Sequence, residues 1–141
     1  PVQIFRLPGI YGPGRSALDS VRDGSARRIH RDGHRTSRVH VDDIVAALRL
    51  AIAAPPADAV FNVADDQPAP NPEVVEFACD LLGRPYPPLE RYEDLAPADP
   101  RRRFLTDRRL VANSHLKATL AWTPRYPTYR EGLTAILANG G

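Results

Sequence analysis

Val2-Gln3-Ile4-Phe5-Arg6-Leu7-Pro8-Gly9-Ile10-Tyr11-Gly12-Pro13-Gly14-Arg15 falls into two parts, and the break between them directs the reading of the fold. Val2 to Leu7 mixes β-branched and aromatic residues and reads as a short buried strand. Pro8-Gly9 ends it. Pro8 to Arg15 holds three glycines and two prolines, a loop whose backbone lets another body come close. Ser16 is placed to cap a short helix from Ala17 to about Arg22, closed at Gly24.

Outward from there, Arg27 to His30 and Thr36 to Val41 flank Arg31-Asp32-Gly33-His34-Arg35, and Asp-Gly between alternating runs predicts a hairpin. Val39 and Val41 share one face of the second run, Arg38 and His40 the other. Asp42 stands where a helix cap belongs, and Asp43 reads the same way. The helix Asp43 to Ala54 is apolar on so broad a surface that it is expected to be covered on most sides. Ala59 to Val63 reads as a buried parallel strand. Asn71-Pro72-Glu73 opens a helix that Gly83 closes. Arg84 to Arg103 is proline-rich and polar and reads as a long surface loop. Leu110 to Ala112 reads as extended; Asn113 or Ser114 starts a helix through about Ala121, and Thr128 to Ala138 is a last amphipathic helix. The order is α/β. Only two segments look like buried sheet strands, too few for a self-sufficient parallel sheet.

Composition removes several classes of protein. With 141 residues, 43% hydrophobic and 26% charged, the chain suits one globular unit and not a disordered tail. No apolar run approaches the roughly 20 residues of a membrane span. A single cysteine, Cys79, rules out a disulfide framework, and its helical neighbours make it a packed residue. His30, His34, His40 and His115 lack metal-site spacing. Of 19 basic residues only Lys117 is lysine, and against 17 acidic residues the net charge is +2, too small to imply nucleic acid. The chain has no methionine, which reads as processing or as a piece of something longer. No membrane partner is expected, and the expected compartment is the cytoplasm.

Four motifs in order carry a family resemblance. Arg6-Leu7-Pro8-Gly9-Ile10-Tyr11-Gly12-Pro13-Gly14 resembles the segment after the sixth strand of extended and atypical short-chain dehydrogenase/reductases, the NAD-dependent epimerase/dehydratase proteins. Ser37-Arg38-Val39-His40-Val41-Asp42-Asp43 is similar to that family's R-I-H-V-D-D stretch, and Val60-Phe61-Asn62-Val63 to its Y-N-V strand. Leu120-Ala121-Trp122-Thr123-Pro124 resembles its L-G-W-x-P turn, and the ending Thr123 to Gly132 resembles the atypical single-domain branch. The Gly-rich pyrophosphate turn and the Tyr-x-x-x-Lys pair of the family's first half have no counterpart here. The resemblance therefore implies the C-terminal part of a Rossmann-type doubly wound parallel sheet with a small substrate-binding subregion. Residues 1–141 would form one unit: 1–63 the last strands, cleft loop and hairpin, 64–141 the substrate-side helices.

The resemblance also implies site residues. Pro8, Gly9 and Ile10 would lie against the nicotinamide of NAD or NADP, with no catalytic residue and no metal ligand in this chain. Tyr11, Arg15, Arg38, His40 and Arg103 would border the substrate, Arg15 as a partner for an anionic group. His40 also reads as a packing histidine, Arg101-Arg102-Arg103 as a solvated cluster, and Thr36 stands where sugar-nucleotide epimerases hold a diphosphate-gripping arginine. The implied whole is an NAD(P)-dependent oxidoreductase, epimerase or dehydratase acting by hydride transfer on a small or sugar-like substrate, completed by an N-terminal half of the same fold. Turnover by this chain alone is not expected, and a homodimer stays open. The rival readings are a non-catalytic NAD(P)-binding sensor and a stand-alone interaction module.

Overall fold

Among the described residues the strands pair two by two, each pair in parallel, with isolated antiparallel bridges at Gly12–Arg15 and Thr36–Ala69. A computed structural model describes residues 2–141. In it β1 (Gln3–Arg6) runs beside β5 (Ala59–Asn62), β2 (Gly9–Tyr11) beside β4 (Arg38–His40), and β3 (Arg28–His30) beside β6 (Leu89–Arg91). The helices are α1 (Ala17–Arg22), α2 (Val41–Ala53), α3 (Asn71–Leu82), α4 (Pro100–Thr106), α5 (Ser114–Leu120) and α6 (Tyr129–Ala138). This is the α/β arrangement with parallel strands that the alternation of elements predicts.

Two main cores hold the elements. Phe5 and Phe61, register partners on β1 and β5, pack with tilted rings, centres 5.4 Å apart. Phe61, Val39, Ile44, Ala47, Leu116 and Trp122 make a buried cluster beneath α2 and α5. Tyr11, Leu18, Ala78, Tyr129, Leu133 and Ile136 make the second, among α1, α3 and α6. A smaller one, Ile29, Leu95 and Leu105 with Tyr92, seats α4. Cys79 is buried in α3, as its neighbours indicate.

Several expectations are corrected. The turn at Gly33 exists, with φ +65° and His34 N–H donating to Arg31 C=O at 3.0 Å. It does not make a hairpin: β3 and β4 leave it for different partners, β6 and β2. The span expected as a long loop contains β6, a 3-10 turn over Tyr92–Asp94 and the start of α4. Their anchors lie about sixty residues upstream, where local pattern has no reach: Arg27 bridges Glu90 and reaches Asp99 at 2.8 Å. Leu110 to Ala112 forms no ladder; Val111 N–H instead donates to Ser37 Oγ at 3.2 Å. Helix α2 is capped by His40, whose Nδ1 accepts from Asp42 N–H at 3.1 Å, so neither aspartate caps it. Asn71 does not cap α3; its Oδ1 accepts from Ile29 N–H at 2.8 Å and ties helix to strand.

The expected covering of α2 on most sides is also corrected. Ile44, Ala47 and Ala51 are buried, whereas Val41, Val45, Leu48 and Ile52 form an exposed stripe. Ile4 and Val60, paired in register, are exposed on the outer face of the β1–β5 pair. Parallel strands are ordinarily covered on both faces, and here one face of the β1–β5 pair is left open.

The L-G-W-x-P-like turn holds a local strain. Ala121 closes α5 at φ +50°, the left-handed region that a Cβ disfavours. Ala121 is exposed, so its methyl packs little. Ala121→Gly is expected to stabilise the chain by about 0.5–1 kcal/mol, strain relief less the added freedom of the unfolded chain. Urea denaturation checks this through a higher midpoint at unchanged slope.

Candidate functional site

The break after β1 opens onto a cleft of about 1310 Å³. Its floor is Pro8 to Tyr11 and Thr36 to Arg38, at the adjoining parallel strands β2 and β4. The first turn of α1 with Arg15, the face of α6 with Tyr129 and Leu133, and Arg103 to Val111 form the walls. Of the sequence-derived site residues, Pro8, Gly9, Ile10, Tyr11, Arg15, Arg38 and Arg103 all line this one cleft. They come from segments almost a hundred residues apart, brought together by the β2–β4 pairing and by the seating of α4.

His40 is the exception among them. It does not line the cleft. Its ring is 2% exposed and lies between Tyr11, edge-on at 5.2 Å, and Tyr126 at 4.3 Å. Burial pushes its pKa down, which keeps Nδ1 free to accept from Asp42 N–H. The packing role is the one the structure gives it. The arginine cluster also divides: Arg102 donates to Leu95 C=O at 2.6 Å and stacks on Tyr92, Arg101 reaches Ser25 C=O, and only Arg103 faces the cleft.

The cleft is electropositive. Arg6, Arg15, Arg38, Arg103 and Arg109 line it against a single acid, Asp107, which sits 3.2 Å from Arg109. Arg38 is the most enclosed of the five. Its Nη2 donates to Thr36 Oγ1 at 2.9 Å and to Ala69 C=O at 3.3 Å, and its guanidinium lies 5.6 Å from the Tyr129 ring centre. Its Nη1, the Tyr11 and Tyr129 hydroxyls and Asp65 Oδ2 are buried with no hydrogen-bond partner among the described residues. Burial lowers the Arg38 pKa, opposed by the Asp65 charge, and raises those of both tyrosines.

Asp65, Tyr129 and Phe104 are not singled out as site residues by the sequence, whereas Arg109 is the end of the basic stretch Arg101 to Arg109 through which an interaction module would bind an acidic partner. One signal pointed to Asp65: it lies just beyond the carboxyl end of β5, where open α/β sheets place ligand-facing residues. Tyr129 belongs to the apolar face of α6, and nothing local distinguishes it from a core residue. Its ring packs beside Tyr11, whose own ring lies against Gly132; a methyl there would fall within 2.7 Å of Tyr11 Cζ. Among the described residues no group of three or more His, Cys, Asp or Glu is placed to hold a metal. No helix among them is long and apolar enough to cross a membrane.

No protein-family model matches the chain. A curated protein from Streptomyces sp., described as 3-diazoavenalumate denitrifying reductase, is 33% identical over 147 residues, covering 92% of this chain and 45% of that protein. The chain thus spans a little under half the length of this relative. Among solved structures, a conserved protein of unknown function from Silicibacter pomeroyi DSS is 38% identical, with a TM-score of 0.89 over 98% of this chain and 48% of the other. Human epimerase family protein SDR39U1 (isoform 2), solved with NADPH, is 20% identical, with a TM-score of 0.79 over 97% of this chain and 48% of the other.

The buried carboxyl of Asp65 gives the chain a pH signature. Burial raises its pKa from 3.8 to about 7, although Arg38 pulls the other way. A raised folded-state value favours the protonated fold, so stability falls as pH rises from about 4 through about 7. Asp65→Asn is expected to flatten that slope, gaining on the parent at pH 8 relative to pH 5. Denaturation at the two pH values reads the difference.

Proposed function

Because this chain has the fold of the C-terminal part of the Rossmann-like NAD(P)-binding epimerase/dehydratase proteins, we propose that it supplies the substrate-cleft half of an NAD(P)-dependent oxidoreductase, epimerase or dehydratase. The carrying observation is that Pro8-Gly9-Ile10 and the arginines of the cleft share one concave surface at the end of a parallel strand pair. The residues present fit a nicotinamide: the cleft has the volume for the ring and a small substrate, and Gly9 offers bare backbone at its floor. The bound cofactor would supply or accept the hydride.

Within that reading, Pro8, Gly9 and Ile10 pack against the nicotinamide face, and proline and glycine permit the close approach. Tyr11, Arg15, Arg38 and Arg103 surround a small or sugar-like substrate. Helices α1 and α6 exclude water from one side, and α4 closes the other with Phe104. The exposed stripe of α2 and the uncovered face of β1 and β5 are where an N-terminal half of the fold, bearing the Gly-rich turn and the Tyr-x-x-x-Lys pair, would pack. Residues 1–141 act as one unit of that larger fold.

Sequencing the coding template just upstream of Pro1 is expected to reveal that turn and that pair in frame. The completed protein is then expected to bind NADH or NADPH, detected by nicotinamide fluorescence. Gly9→Val is expected to weaken that binding by at least about tenfold, since it places branched carbons where the ring must approach. Its melting temperature is expected to stay close to the parent's, because the new Cβ lies 3.6 Å from its nearest neighbour, Ser37 C=O. Binding of neither dinucleotide by the completed protein would sink the reading.

A further inference from the structure

The four buried polar atoms without a partner are not scattered over the molecule. Tyr11, Arg38 and Tyr129, which carry three of them, line one cleft, and the fourth, on Asp65, belongs to a carboxyl whose charge acts on Arg38 and Tyr11. Tyr11 is 9% exposed and Tyr129 wholly buried, yet both line the cleft wall. Buried donors are ordinarily satisfied, and leaving one without a partner costs more than a typical hydrogen bond contributes. A fold in no need of these oxygens would carry phenylalanine at both positions. We infer that this part of the cleft is a carboxylate-binding subsite, in which Arg38 and the hydroxyls of Tyr11 and Tyr129 receive the anionic end of a ligand with a planar apolar body. The inference rests on the cleft being the substrate side of the proposed enzyme.

Charge and shape agree with that class of ligand. Five arginines line the cleft against Asp107, itself paired, and even with Asp65 near Arg38 counted the arginines outnumber the acids, so an anion entering the cleft is attracted. Arg38 is already held on one edge by Thr36 and Ala69, which leaves Nη1 as its free donor. Together with the two hydroxyls that makes three donor atoms carrying four hydrogens. They suit the two oxygens of a carboxylate, whereas a phosphate brings a third oxygen and a second charge close to Asp65. Between the arginines the walls carry apolar side chains, Val74, Phe104 and Leu133. Phe104, 75% exposed and projecting from an otherwise anchored α4, is positioned to cover a flat ligand.

The test is titration of 2-naphthoate into the 141-residue chain, followed by naphthalene fluorescence, with 2-naphthamide as the uncharged counterpart. Naphthoate is expected to saturate a single site and naphthamide to bind at least about tenfold more weakly, as for hydrogen bonds to a charged group. Tyr11→Phe and Tyr129→Phe are each expected to weaken naphthoate about tenfold while the urea midpoint of the ligand-free chain holds or rises. That combination is the signature of a hydroxyl kept for a ligand, and both variants remove only an oxygen without a partner. Arg38→Gln, where it folds, is expected to abolish naphthoate binding. Equal affinity for naphthoate and naphthamide, or no saturable naphthoate binding, overturns the proposal. Unchanged naphthoate affinity in both Phe variants, or a lowered urea midpoint, overturns it too and assigns the hydroxyls to enclosed water or to the fold. Inorganic phosphate that outcompetes naphthoate would replace the carboxylate assignment with a phosphate one. None of these readouts needs a dinucleotide, so they stand or fall separately from cofactor binding by the completed protein.

Discussion

The carboxylate of Asp43 is the tie on which the cleft geometry depends. It is 1% exposed and accepts from Arg125 N–H at 2.6 Å and from Tyr126 N–H at 3.1 Å, while its own C=O accepts from Trp122 Nε1 at 3.1 Å. These bonds join the first turn of α2 to the segment between α5 and α6, across eighty residues of chain. Because β4 runs directly into α2, the same residue links the cleft floor to the turn that aims α6. Burial raises the Asp43 pKa and the two backbone donors oppose it, as expected of a carboxylate held in place by directed hydrogen bonds. With α6 so placed, Tyr129 and Gly132 meet Tyr11, and the cleft acquires its inner wall.

The cleft combines two kinds of surface that ordinarily exclude one another. Its lining holds the Arg38 guanidinium and two phenolic hydroxyls with hydrogen-bonding capacity left over, beside the apolar side chains of Val74, Phe104 and Leu133. In a low-dielectric setting such groups interact strongly with one another and with anything that enters. They also weaken the fold that carries them. Functional sites commonly hold such local costs, which the surrounding cores offset. Here the offset comes from the Tyr11–Leu18–Tyr129–Leu133 cluster beneath the site and from the aromatic packing of His40 between Tyr11 and Tyr126.

The outer surface tells a second story about burial. Helix α2 has two apolar stripes, of which one covers Phe5 and Phe61 and the other faces outward. The exposed pair Ile4 and Val60 continues that surface onto the strands. An isolated two-stranded parallel pair is marginal by itself. The matches that cover about half of each related chain accord with a sheet that continues in another part of the same fold.

Local pattern read Gly9 to Tyr11 as loop, although it forms β2 against β4, but it determined the strand of Val2 to Leu7 with its break at Pro8-Gly9, the parallel β5 strand, and helices α1, α2, α3, α5 and α6 to within a residue or two. Those features follow from side-chain period, backbone breakers and caps, which act over a few residues. Tertiary structure decided the rest. An Asp-Gly turn looks the same whether its strands pair with each other or with distant partners, so the hairpin was a fair local reading and a wrong global one. Strand β6 is three residues with no alternation to read, and it exists because β3 offers it a ladder. His40 and Asp43 look like a cleft residue and a cap in the sequence. They became a cap and a long-range anchor because a hydrogen bond goes to whichever donor the fold brings nearest. Tyr129 and Asp65 reach the site only through the packing of α6 and the end of β5, since proximity between residues far apart in sequence is a property of the folded chain.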